Sequence, residues 1–152
     1  MPKASVKRLI ECKKKDLIDL VLDIEKYPEF VPFCFDAKIY ENKNEGDLTK
    51  IIADLTIGKG PFKDTYKSDV VFNKKEDTIF VKNIEGPLNH LSNNWNFVDK
   101  KNGITEVTFD IDFEIKNKFL NSLMVVSFQF GLEKIADAFQ KRAEQLFSSS
   151  KN

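Results

Sequence analysis

Residues 104–147 read ITEVTFDIDFEIKNKFLNSLMVVSFQFGLEKIADAFQKRAEQLF, and the spacing of their apolar residues changes once. Up to Lys116 they alternate: Val107, Phe109, Ile111, Phe113 and Ile115 point one way, and Thr108, Asp110, Asp112 and Glu114 the other. A two-residue repeat of this kind belongs to a strand with one dry and one wet face. Beyond it the repeat lengthens. Leu120, Met124, Phe128, Leu132, Ile135, Phe139 and Leu146 keep a helical stripe to the end, and Phe119, Leu123, Val126 and Phe130 add a second apolar flank over the first half. At about 1.5 Å per residue this helix runs roughly 40 Å, enough to cross a whole sheet. A half-dry strand followed by such a helix predicts that the helix covers the sheet.

The upstream chain supplies the other strands. "ASVKRLIEC" (4–12) alternates as a first strand, and "KKKDLIDLVLDIEKY" (13–27) sets Leu17, Ile18, Leu20, Val21 and Ile24 at helical spacing. Pro28 and Pro32 stop that helix and leave room for one short further turn. From Cys34 on, five more alternating segments precede residue 104, separated by the turns KNEGD, KGP, KKED, GPLNH and KKNG at the spacing of an antiparallel meander. The predicted fold is α+β of the helix-grip kind. A curved antiparallel sheet of about seven strands wraps around a long C-terminal helix, with two short helices after the first strand. One domain spans 1–147, and SSSKN (148–152) is a disordered tail.

Bulk composition narrows function. At 152 residues, with 32% charged and 41% hydrophobic residues, the chain is long enough for a real core. A net charge of zero argues against holding DNA or RNA by bulk electrostatics. Cys12 and Cys34 are too few for a disulfide scaffold and fit a reducing compartment. No apolar run reaches the roughly 20 residues of a membrane span, and the charged N-terminus does not read as a signal peptide. These features predict a cytoplasmic bacterial location, with room for peripheral contact at the inner membrane.

Catalytic and metal chemistry find little footing. Cys34 and the lone His90 read as a buried thiol and a surface histidine, and one His with two distant Cys makes no metal site. Asp110, Asp112 and Glu114 read as a solvated face, and Gly58-Lys59-Gly60 as a hairpin turn. Against this stands an unusual content of 14 Phe beside one Trp and three Tyr. Either these rings interdigitate in a full core, or they line the space that a curved sheet and a straight helix leave between them; the architecture favours the space. The prolines and rings of "YPEFVPFCFDAKIY" (27–40) would then form its rim. The lysine clusters 13–15, 74–75 and 100–101 sit in turns or at helix starts, as solvated surface or as a patch for anionic lipid or ribosomal RNA.

Three stretches resemble one family. "YPEFVPFC" (Tyr27, Pro28, Phe30, Pro32, Cys34) is similar to its Y-P-x-F-x-P-W-C signature, with Phe33 in place of Trp. "GPLNHLSNNWNF" (Gly86, Pro87, Leu91, Trp95, Phe97) resembles its G-P-F-x-x-L-x-x-x-W-x-F segment, with Leu88 in place of Phe, and "AFQKRAEQLF" (Phe139, Arg142, Ala143) its C-terminal F-x-x-R-A. The family is that of the START-like coenzyme Q-binding proteins, which includes the bacterial ribosome-association toxin. The resemblance implies a non-catalytic protein that binds ubiquinone or a related polyprenyl lipid as a carrier or chaperone supporting respiration, with ubiquinone as ligand and no catalytic cofactor. It equally implies a rival role: binding the large ribosomal subunit and blocking subunit joining. A polyketide cyclase-type enzyme, sharing the fold class, ranks third.

A quinone needs stacking rings, one or two donors and aliphatic walls. Tyr27, Phe33, Phe62, Phe80, Trp95, Phe97 and Phe113 are the candidate rings, and Tyr66 or Asn94 the candidate donor. Pro28 and Phe30 belong to the expected rim, with Leu123, Val126 and Phe130 on the helix. Burying roughly 300 Å² of tail at ~25 cal/mol per Å² gives about 7 kcal/mol before the costs of association.

Overall fold

The computed structural model describes residues 3–59, 61–86 and 88–147, except the side chains of Lys59, Phe62, Leu120 and residues 123–128. The chain runs β1 (Lys3–Ile10), α1 (Lys14–Leu22), a 3₁₀ helix (Ile24–Glu29), β2 (Cys34–Glu45), β3 (Leu48–Lys59), β4 (Phe62–Asn73), β5 (Thr78–Glu85), β6 (Leu88–Asp99), a 3₁₀ turn (Lys101–Gly103), β7 (Thr105–Ile115) and α2 (Lys118–Phe147). Seven strands form one sheet in the order β1-β7-β6-β5-β4-β3-β2, and every pairing is antiparallel. Consecutive hairpins build most of it, and β1 closes on β7 from the far end of the chain. The expected helix-grip arrangement is observed.

The register shows which residues share the helix-facing side. Val6 pairs with Phe109, Phe109 with Trp95, and Trp95 with Ile79. All four are buried, Ile79 completely. On β7 the alternation holds: Val107, Phe109 and Phe113 are buried, and Ile111 and Ile115 are partly so. α2 packs on this face against β1, β7 and α1.

The first helix ends earlier than its apolar spacing predicts. Asp23 (φ −83°, ψ 63°) breaks it after Leu22, and the 3₁₀ helix that follows contains Pro28 rather than stopping before it. In so short a 3₁₀ helix the missing N–H of Pro28 forfeits a single hydrogen bond, where the interior of a long α-helix would also meet the ring as a clash. The free edge of β2 is capped by this short helix: the Ile39 N–H donates to Glu25 Oε2 at 2.9 Å. An edge strand covered this way is a poor template for pairing with other chains.

Candidate ligand site

The opening and closing signatures of the chain meet in space. Phe139 of α2 packs edge-on against Tyr27 (centroids 5.4 Å) and Phe30 (5.1 Å), while Tyr27 and Phe30 touch each other at 6.1 Å. Arg142, one turn further along, lies 5.1 Å over the Phe30 ring and donates to Glu29 Oε1 at 3.0 Å. Ala143 is fully buried. The Tyr27 hydroxyl donates to the Val21 carbonyl, and burial pushes its pKa far above the ordinary tyrosine value. Tyr27 and Phe30 therefore clasp the 3₁₀ helix to the second half of α2, a packing role beyond the rim that the sequence suggested. Pro28 is exposed on that helix.

Trp95 and Phe97 belong to the same closed region. The Trp95 ring lies 4.3 Å from Phe109 and 5.2 Å from Phe139, and its Nε1 donates to Asn93 Oδ1 at 2.9 Å. Between them, α1 and the second half of α2 lies a small, partly open apolar pocket with about 30 Å³ of free space. That is room for one water, not for a quinone ring. Both aromatics are taken up by packing in this region.

The inner face changes character towards its other end, where β7, β5 and β3 finish and β6, β4 and β2 begin. A second cluster of Leu88, Leu91 and Phe113 sits there, with Tyr66, Val81, Ile111 and Ile115 around it only partly buried. Leu55 is also partly buried, and Ile57, the next residue on the same side of β3, is 37% exposed. Apolar side chains on the helix side of the sheet are thus reachable from outside at this end and sealed at the other. Strand alternation had marked Ile111 and Ile115 as dry-face residues, but Leu55, Ile57 and Val81 were not among the expected wall. Spacing alone could not tell an open stretch of that face from a filled one.

Three polar side chains converge near the opening. Tyr66 is partly buried, and its hydroxyl donates no hydrogen bond among the described residues; burial, with Cys34 close by, raises its pKa well above the ordinary value. Cys34 is buried and hydrogen-bonds the Asp36 carbonyl at 3.6 Å, and burial pushes its thiol up to about 11. Tyr27 is near enough to both to feel them. Phe33 holds a left-handed backbone (φ 69°), accepts from the Gly58 N–H at 2.9 Å, and brings its ring beside Gly131 of α2. A Cβ on Gly131 would lie 3.9 Å from the Phe33 ring. The turn that carries the G-P signature closes on the same place: at Gly86 (φ +134°) a Cβ would meet the Tyr66 Cβ at 2.7 Å and Cα at 2.8 Å. Only glycine permits that approach.

Several expected contributors lie elsewhere. Phe80 pairs with Asn94 and Val71 on the outer face, 38% exposed, because its neighbour Ile79 takes the inward position. Asn94 shares that outer side and lines a polar groove of about 470 Å³ with Lys3, Ser5, Ser92, Asp110 and Asp112. It cannot serve a ligand inside. Phe130 is 65% exposed under the Lys134 ammonium (4.7 Å), off the inner face. Phe62, Leu123 and Val126, like Pro87 and the tail 148–152, fall outside what is described. Phe33, Tyr66 and Phe113 are the expected residues brought together at the opening.

Electrostatics and other chemistry place no second site inside. Among the described residues no group of His, Cys, Asp and Glu could hold a metal ion. His90 Nε2 lies 3.5 Å from Asp112 Oδ2 on the outer face, away from Cys34. The lysine clusters gather at the closed end, where three of the seven lysines, Lys14, Lys15 and Lys100, are ion-paired. Lys14 reaches Asp77 (2.8 Å) and Asp99 (3.1 Å), bonds that raise its pKa, Lys15 pairs with Asp19 and Lys100 with Glu106.

Residues 11–140 match the family model for polyketide cyclases, dehydrases and lipid transport. The chain is 32% identical over 142 residues to the ribosome association toxin of Rickettsia prowazekii, covering 91% of this chain and 94% of that protein. It is also 32% identical over 133 residues to a mitochondrial coenzyme Q-binding protein of Dictyostelium discoideum, covering 86% of this chain and 63% of that one. Among solved structures, a START superfamily protein of Mycobacterium smegmatis superposes with a TM-score of 0.80 at 21% identity, over 95% of this chain and 98% of that chain. This likeness concerns the fold.

Proposed function

Since the chain belongs to the family of polyketide cyclases, dehydrases and lipid-transport proteins, in its START-like branch, we propose that it binds ubiquinone or a similar polyprenyl lipid without catalysing a reaction. The observation that carries this reading is the inner apolar face, sealed at the Trp95 end and reachable at the Tyr66 end. Phe113, Leu91, Val81 and Ile111 offer a carbon wall, and Tyr66, packed beside it, would donate its hydroxyl to a ring carbonyl. Phe33 would cover the mouth beside Gly131. A thiol held near 11 stays protonated at neutral pH, so it would neither attack a bound quinone nor act as a nucleophile. The relative named for coenzyme Q binding supports the ligand class.

Mass spectrometry of lipid extracted from the purified protein, followed by titration with added ubiquinone, tests the reading. Co-purified or tightly bound quinone is expected. Protein that arrives empty and ignores added quinone would sink the proposal.

A second reading, association with the large ribosomal subunit, has its own support in the toxin relative, aligned along 94% of that protein. Sucrose-gradient profiles after overproduction address it. Free subunits accumulating at the expense of whole ribosomes are expected under this reading, and an unchanged ratio would remove it.

A further inference from the structure

The first half of α2 differs from the rest of the molecule in what it presents outward. Phe119 is 71% exposed and Phe130 65%, the two most exposed large apolar side chains described. At 100° per residue they fall on one line of the helix, about 16 Å apart. Further along it the sequence turns to charge, with Glu133, Asp137, Lys141 and Glu144. The apolar line therefore stops where the closed core begins.

Charge is distributed just as unevenly. The chain has 24 acids and 24 Lys and Arg, yet from Ile115 to Leu132 there is no acid at all, only Lys116 and Lys118. Lys134 follows at the end of the apolar line. All three are exposed, and no acid pairs with them among the described residues. Acids around the β7–α2 corner are engaged otherwise, Glu85 with Lys67, Asp112 with Lys3 and His90, Glu114 with Asn89, while exposed Glu133 precedes Lys134 where the apolar line ends. The β7–α2 corner lies at the open end of the sheet, where Ile84 (49% exposed) and Ile57 also stand.

We propose that this corner and the first half of α2 form a surface that rests on a lipid bilayer carrying anionic headgroups, with Phe119 and Phe130 entering the acyl boundary and Lys116, Lys118 and Lys134 meeting the phosphates. The inference rests on the lipid-binding reading, because a cargo that lives in a bilayer must reach a mouth placed against one. Exposed rings flanked by lysines, with acids excluded from the segment, are the features of a helix that lies in the interface. No helix among the described residues is long and apolar enough to cross a membrane, so the contact is peripheral. The lysine clusters at the opposite end lack exposed rings of this size beside them, and Lys14 and Lys100 there are held by Asp77, Asp99 and Glu106, so that end is not the docking surface.

The test is sedimentation of the full chain with phosphatidylcholine vesicles, with and without phosphatidylglycerol. Binding is expected only with the anionic lipid and is expected to weaken with salt. The double variant Phe119→Ala/Phe130→Ala and the pair Lys116→Gln/Lys118→Gln should each lose roughly tenfold or more in vesicle affinity. Leu9→Ala, a change at another exposed apolar side chain, should lose nothing. Circular dichroism checks that the variants fold. Absence of vesicle binding, or binding unchanged in both double variants, would overturn the proposal. So would protein that ignores vesicles but forms a dimer, or sediments with large ribosomal subunits, through these same phenylalanines. A short-tailed ubiquinone titrated in solution separates the two readings. Quinone binding without vesicle binding removes only the docking surface; vesicle binding without quinone binding removes only the ligand.

Discussion

The Trp95 indole N–H donates to Asn93 Oδ1 at 2.9 Å, and Asn93 Nδ2 donates to the Asp110 carbonyl at 3.2 Å, inside a largely apolar core. The sequence demanded an acceptor for a buried indole, and the side chain two residues along the strand supplies it. Trp95→Phe keeps most of the ring contacts with Phe109 and Phe139 but leaves Asn93 Oδ1 without its donor. A loss of about 1–3 kcal/mol in urea unfolding is expected. Cys34 carries a different prediction. Its folded pKa is raised to about 11 from 9.0, mainly by burial, so the folded state holds a proton that the unfolded state releases first. Its contribution is complete below pH 9 and disappears as the pH rises towards 11. Melting temperature followed across this window should fall, and Cys34→Ala should fall less steeply. Parallel curves would show that the thiol is not the titrating group.

Two glycines give opposite predictions at the level of elements. Gly131 lies inside α2, where a Cβ would make ordinary contact with the Phe33 ring at 3.9 Å. Gly131→Ala removes backbone freedom from the unfolded chain and should stabilise by about 0.5–1 kcal/mol in thermal or urea unfolding. Gly86 closes the β5–β6 turn onto Tyr66, where a Cβ would stand 2.8 Å from the Tyr66 Cα. Backbone cannot give way there, and Gly86→Ala should cost ~2 kcal/mol or more. Most elements were legible because each rests on local spacing. The β7 alternation appears where the periodicity places it, and so do the meander between its turn residues and the long helix α2, whose Leu132 and Phe139 are buried while Leu146 near its end is 49% exposed. The break at Asp23 was not legible: Ile24 continues the helical spacing, and the clasp of Tyr27 and Phe30 onto Phe139 joins positions more than a hundred residues apart. Arg142 illustrates the contrary case. Its place in the F-x-x-R-A stretch was legible, and the structure ties it to Glu29 at 3.0 Å.

As a whole, the molecule has one sealed and one reachable end, and this is the property the chain hid best. Aromatic residues of equal apolarity serve both ends, so composition predicted a lined space but not which rings line it. Strand parity decided the matter against Phe80 and helix phase against Phe130, while packing with Phe139 assigned Trp95 and Phe97 to the sealed end. The two ends can be told apart in a single measurement. A ligand that binds only the folded protein raises its melting temperature by mass action. With short-tailed ubiquinone in excess, Tyr66→Phe should leave the unliganded melting temperature nearly unchanged and shrink the ligand-induced rise, as affinity drops roughly tenfold through one lost hydrogen bond. Trp95→Phe should do the reverse, melting lower without ligand yet keeping the full rise. If the rise instead vanishes in Trp95→Phe and survives in Tyr66→Phe, the ligand enters between α1 and the second half of α2, which would require the 30 Å³ cavity there to open around it.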